Sequence, residues 1–139
     1  MRAYAMPWLS RAVLIAALVI LTLIGRKFIG DPVGAAADSN IALNSPLAVT
    51  NMRASFRAFP LGCALFVLVC LITSSLRKTG LAFVALIVGT ALAVRIFGII
   101  ADGTLAESLR LVVAETVLLV LSLAAYAGES LDNSAIERT

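Results

Sequence analysis

The 139-residue sequence contains no histidine, two cysteines and one tryptophan, and only 14% of its residues are charged. Each shortage removes a class of function. Without imidazole, the haem ligation usual in membrane cytochromes and most zinc and non-haem iron sites lose their customary ligand, so no metal and no cofactor is expected. Cys63 and Cys70 fall seven positions apart on one helix, about 10 Å along its axis, too far for a disulfide. They read as small packed hydrophobes. No catalytic residue is expected and the chain reads as a non-enzyme: one carboxylate can serve as a general base, but no histidine or activated nucleophile accompanies it.

Apolar residues are what the chain has in excess. They make up 61% of it and give a mean hydropathy of +1.04, against about 45 to 50% apolar and about 25% charged in soluble domains. The reading is an all-α integral membrane protein, a single domain built as a four-transmembrane-helix bundle. The formal net charge is +3, yet no basic run exceeds two residues and most basic residues flank or enter apolar segments. Juxtamembrane anchoring explains them better than nucleic acid, which is not expected as a partner.

The first apolar run, Ala12 to Gly25, follows Arg2 and Arg11 and can imitate a secretory leader. It is followed by Arg26 and Lys27 instead of a small-residue cleavage site, and Trp8 sits at its flank like an interfacial anchor, so a retained helix is expected. That helix spans about residues 10–29. Gly30, Asp31 and Pro32 stop it, and a long polar connection to Ser45 follows, expected as an ordered or partly helical cap outside the bilayer. Ser45 as cap and Pro46 at the first helical position start helix two, about 46–76, in which Pro60 should bend the backbone near Phe56. A tight basic turn, Arg77 to Gly80, leads into helix three, about 81–101, as an antiparallel hairpin. Asp102 and Gly103 break the chain, and a capping box of Thr104 and Glu107 opens helix four, about 105–127, ending before Gly128. The remaining 128–139 reads as a polar, frayed tail. Both termini are expected to be cytoplasmic; Arg2, Arg11, Arg77 and Lys78 then share the inner side while Arg26, Lys27, Arg53, Arg57 and Arg110 oppose them, so the positive-inside rule barely decides, and the argument improves if Arg53 and Arg57 belong to a site.

Two sets of residues are singled out. Ala54, Ala58 and Gly62, and Ala85, Gly89 and Ala93, recur at spacing four, which allows close backbone approach of helices in lipid. Packing within the chain is the leading reading, with a seam between copies as the alternative. Arg95 and Glu115 are ionisable residues within apolar runs. A charge at such depth costs about 2.5 to 3.5 kcal/mol even on lenient scales, so both should face inward and pair. With Arg53, Arg57 and Asp102 they form an expected outer-side cluster, read as a structural ion-pair network or as a pocket for an anionic lipid or small acid. Three guanidinium groups there outnumber two carboxylates, and arginine suits phosphate and carboxylate.

At these residues the sequence resembles the bacterial inner-membrane family called domain of unknown function (DUF) 4345. The resemblance rests on Asp31-Pro32, on Arg53-Ala54 with Phe56, on Ala93, Arg95, Gly98 and Asp102-Gly103, and on Glu115, and it spans roughly Ala12 to Ala127. The chain departs from the family pattern at Arg57-Ala58, which replace a glycine pair. The resemblance implies a four-helix architecture in a bacterial inner membrane and no established activity. The functional expectation is an accessory or structural subunit, in a homo-oligomer or a larger membrane complex, with membrane lipids as neighbours; the alternative is handling of an anionic lipid or small acid at the arginine cluster.

Overall fold

The structure, a computed structural model, describes the backbone of residues 6–136 and the side chains of residues 8–130. Arg2 lies outside the described residues. Six α-helices follow in order: α1 (Met6–Gly30), α2 (Pro32–Ala37), α3 (Pro46–Arg53), α4 (Phe59–Ile72), α5 (Arg77–Asp102) and α6 (Leu105–Ile136), with a π-helical segment Ala54–Ala58 joining α3 to α4 and a 3-10 turn Ser74–Leu76 before α5. No strand occurs among the described residues. Among the described residues, four stretches are long and apolar enough to cross a membrane: Trp8–Gly30, Pro46–Ile72, Ser74–Asp102 and Leu105–Ser130. The chain divides into two compact units, Ile15–Val69 and the union of Met1–Leu14 with Cys70–Thr139, the boundaries falling within α1 and within α4.

In the Ile15–Val69 unit the polar connection is built rather than slack. Asp31 caps α2, accepting from the Gly34 amide at 2.8 Å, and Pro32 fills the first helical position. Ser45 caps α3 in the same way, accepting from Ala48 N at 3.1 Å, with Pro46 next. Between these caps the chain turns through Asn40, whose φ of 56° is the left-handed conformation that asparagine tolerates. Phe28, Ala35, Ala36 and Met52 are buried together, with Leu43 packed against them. The α2 segment thereby covers the end of α1.

Pro60 acts where the sequence places it. It has no amide to donate to Phe56, and its ring crowds that carbonyl. The helix answers with the π-helical segment Ala54–Ala58, whose wider hydrogen-bond spacing accommodates the slip. Phe56 from this segment meets Phe28 with ring centroids 5.3 Å apart. Gly25 of α1 lies against the same region: a Cβ there would stand 2.6 Å from Leu61 Cγ and 3.4 Å from the Arg57 carbonyl oxygen.

In the other unit, α5 and α6 form the antiparallel hairpin. Gly103 takes the left-handed conformation, φ 70°, and returns its amide to Ile99 O at 3.0 Å, which ends α5. A Cβ on Gly89 would lie 3.6 Å from Leu119 Cδ1. At the other end, Gly80 is buried against Cys70 and Leu14; a Cβ there would fall 2.6 Å from Cys70 Cβ and 3.1 Å from Leu14 Cδ2.

Three expected boundaries need correction. Helix two ends at Ile72, not at residue 76. Thr73 is extended and Ser74–Leu76 form a 3-10 turn, because a β-branched residue followed by two serines offers the backbone competing hydroxyl contacts and poor helical propensity. The basic residues Arg77 to Gly80 are consequently the first turn of α5 and not a loop. Helix four does not stop before Gly128: α6 continues to Ile136, since the one described glycine with positive φ is Gly103 and an in-helix glycine costs only about 1 kcal/mol. Residues 128–136 of the expected frayed tail are thus helical, and 137–139 lie outside the described residues. The expected capping box between Thr104 and Glu107 is not made: Ser108 N donates to Thr104 O at 3.1 Å, the ordinary first helical bond of α6, while Glu107 in the first turn suits the helix dipole.

The glycines give an internal comparison. A Cβ at Gly62 meets nothing within 4 Å. Gly25→Val and Gly80→Val should each lower the unfolding free energy by about 1 to 3 kcal/mol through overpacking, whereas Gly62→Ala should leave it unchanged or slightly raised. Thermal unfolding of the three variants in detergent measures this directly.

Candidate functional site

Arg95 and Glu115 reach each other from apolar stretches of α5 and α6. Arg95 Nε donates to Glu115 Oε2 at 2.9 Å and Arg95 Nη2 to Oε1 at 2.7 Å, a bidentate fork. The two side chains are 28% and 18% exposed, so the charges are largely withdrawn from the surface and compensate one another. Both carboxylate oxygens are engaged, and an anion approaching this guanidinium has to displace Glu115.

Of the five residues expected to cluster, the structure brings these two together. Asp102 belongs to the same unit and is exposed in the last turn of α5. Arg53 and Arg57 belong to the Ile15–Val69 unit. Arg53 closes α3 and is exposed; Arg57 sits in the π-helical segment and is half-buried. Neither makes an ion pair among the described residues, and the same holds for Arg26 at the end of α1. Lys27 beside it pairs with Asp38 at 2.9 Å, and Asp31 is engaged as the α2 cap. Both carboxylates of this unit therefore have partners, leaving three guanidinium groups uncompensated.

The small-residue sets divide as well. Ala85 is buried, and Gly89 faces Leu119. Ala93 is exposed, as are Ala54, Ala58 and Gly62. Ala54, Ala58 and Gly62 are thus not covered within the chain. Cys63, Ala64, Val67 and Cys70 carry the buried side of α4, and at about 100° per residue Gly62 and Ala58 fall on the opposite side. Both cysteines are buried and free.

Sequence reasoning missed the polar end of the α5–α6 hairpin. Lys78 Nζ stands 5.2 Å from the centroid of the Tyr126 ring, and the buried atoms Arg77 Nε and Glu129 Oε1 have no hydrogen-bond partner. Assigning Arg77 and Lys78 to a loop and Glu129 to a tail hid this juxtaposition. The clue was spacing: an antiparallel hairpin that sets Arg95 beside Glu115 also sets residues near 77 beside residues near 129.

The Arg95–Glu115 pair can be tested by a double-mutant cycle. Arg95→Met and Glu115→Leu each leave one charge uncompensated and should cost about 3 kcal/mol in unfolding free energy, while the double variant should recover most of that loss. Simple addition of the two single effects in thermal unfolding would show that the fork carries no coupling.

Neither the curated proteins nor the solved structures include a chain that matches this one. A family model does match, over residues 9–126. That stretch takes in the caps of α2 and α3, the π-helical segment, Arg95, Gly103 and Glu115, and on this ground the chain belongs to the family described as Domain of unknown function (DUF4345).

Proposed function

We propose that this chain is a multi-pass protein of a bacterial inner membrane, crossing the bilayer four times with both termini cytoplasmic. It works there without enzymatic activity, as an accessory or structural subunit that packs with copies of itself or within a larger membrane complex, among membrane lipids and without nucleic acid. One observation carries this reading: the apolar surface turned outward. Of the residues in each apolar window, only 11 to 28% are buried within the chain, and Leu86, Phe97 and Ile100 on α5 are 70%, 72% and 78% exposed. A surface of this kind needs lipid or protein against it, and in lipid the helices satisfy their own backbone hydrogen bonds.

The orientation draws on the unit that contains both Leu14 and Gly80. Leu14 lies beside Gly80, so Arg11, Arg77 and Lys78 stand toward one end of the same unit. A basic end of this kind belongs on the cytoplasmic side. The subunit role draws on α4 and the π-helical segment, where Ala54, Ala58 and Gly62 leave an uncovered small-residue face of the type that admits a second helix closely.

Purification in mild detergent should yield the 14.5 kDa chain as a stoichiometric assembly, with itself or with another membrane protein. Gly62→Leu should weaken that assembly without lowering the stability of the single chain. Recovery of a lone chain under several mild detergents defeats the subunit reading. For orientation, green fluorescent protein fused after Thr139 should fluoresce, as it does when the fusion point is cytoplasmic.

A further inference from the structure

We propose that Arg26, Arg53 and Arg57 form a binding site for the headgroup phosphate of an anionic phospholipid. This rests on the reading that the helices cross a bilayer.

The argument begins with where charge stops along two helices. In α1 the residues from Ala12 to Gly25 are uncharged and Arg26 follows; in the second apolar stretch Arg57 is the last charge before the uncharged run from Ala58 to Leu76. These two limits meet in space. Gly25 lies against the Arg57 carbonyl and Leu61, and Phe28, one turn on, meets Phe56 in a tilted ring contact. Both helices therefore pass from apolar to basic at one level, which in a bilayer is the level of the headgroups. Arg53 precedes Arg57 by four positions and Arg26 adjoins Gly25, so three guanidinium groups issue from the rim of a single helix pair.

Their compensation is missing. The carboxylates of this unit are Asp31 and Asp38, the first capping Gly34 and the second holding Lys27. Arg57 is half-buried, so its charge is not simply dissolved in solvent. Arginine matches a phosphate diester geometrically, offering a planar fork to two oxygens at once, and its aliphatic stem lies along apolar surface while the head reaches the interface. The site asks for net negative charge, because choline or ethanolamine would bring a cation toward three guanidinium groups.

The test uses the full chain in neutral detergent, with native mass spectrometry and thermal unfolding as readouts. The probes are phosphatidylglycerol, phosphatidylcholine and inorganic phosphate. Wild-type protein should retain and be stabilised by phosphatidylglycerol and not by the other two. At about 1 kcal/mol per basic residue near an anionic surface, Arg53→Gln should weaken the phosphatidylglycerol effect about fivefold, and Arg53→Gln with Arg57→Gln about 25-fold. Arg53 is exposed, so the single variant folds even if the double does not. Arg110→Gln, an exposed arginine on α6, should change nothing. Equal retention of phosphatidylcholine, indifference to Arg53→Gln, or equal stabilisation by inorganic phosphate overturns the lipid site while leaving membrane insertion standing. A chain that stays soluble and lipid-free without detergent overturns both.

Discussion

The contact between Arg95 and Glu115 sets the terms for the α5–α6 hairpin. Two ionised groups in the middle of apolar helices have one favourable arrangement, facing one another so that a bidentate fork engages both carboxylate oxygens. The fork at 2.7 and 2.9 Å achieves it. Gly103 makes the return possible by taking the left-handed conformation at the turn, and Leu119 packs over Gly89 at a distance that would still admit a Cβ. The fork contributes more to register than to net stability: an apolar pair of similar volume often holds as well, but a slip of one residue would leave two charges unpaired. What the pair specifies is which faces of α5 and α6 meet.

That constraint separates the two units chemically. In the unit containing α5 and α6, the deep charge is balanced within the hairpin. In the Ile15–Val69 unit, acidic side chains serve the polar connection, Asp31 as a cap and Asp38 as a partner for Lys27, and the arginines remain uncompensated. The three arginines and two carboxylates singled out from the residue order draw on both units, and the local situations within the two have opposite electrostatics. One is a closed pair with no vacancy for an anion. The other is an open basic rim.

Those features were legible in the sequence whose physics is local or whose cost admits one solution. Ser45-Pro46 and Asp31-Pro32 state their caps outright, Asp102-Gly103 states its turn, and two charges in hydrocarbon-like runs demand each other. Pro60 announced a disturbance one turn earlier, and the π-helical segment at Ala54–Ala58 is that disturbance. Glycine was the recurrent source of error. Gly80 and Gly128 read as turn and stop signals, but a glycine ends a helix only when its φ turns positive, and neither does; Gly80 is needed because Cys70 and Leu14 approach it. Whether a glycine bends the chain or admits a neighbour depends on a partner distant in sequence, which local pattern does not contain. The stripe Ala54-Ala58-Gly62 failed for a related reason. Spacing shows that residues share a face, and only the position of Val67 and Ala64 shows which face is buried.

Arg57-Ala58 depart from the pattern that the resemblance to the family implies, a glycine pair where close backbone approach is expected. The close approach is present nonetheless. Its glycine stands on the other helix: a Cβ added at Gly25 of α1 would fall 3.4 Å from the Arg57 carbonyl oxygen and only 2.6 Å from Leu61 Cγ. One glycine suffices to bring two backbones together, provided the facing residue directs its side chain elsewhere, and the π-helical segment helps by rotating Arg57 relative to the α-helical frame. With the space supplied by Gly25, position 57 is free to carry a side chain, and in this chain it carries a guanidinium. The departure therefore leaves helix packing intact and adds charge at the level where two apolar runs end, which makes Arg57 the residue most able to distinguish this member's interface chemistry from that of a chain with glycine in its place.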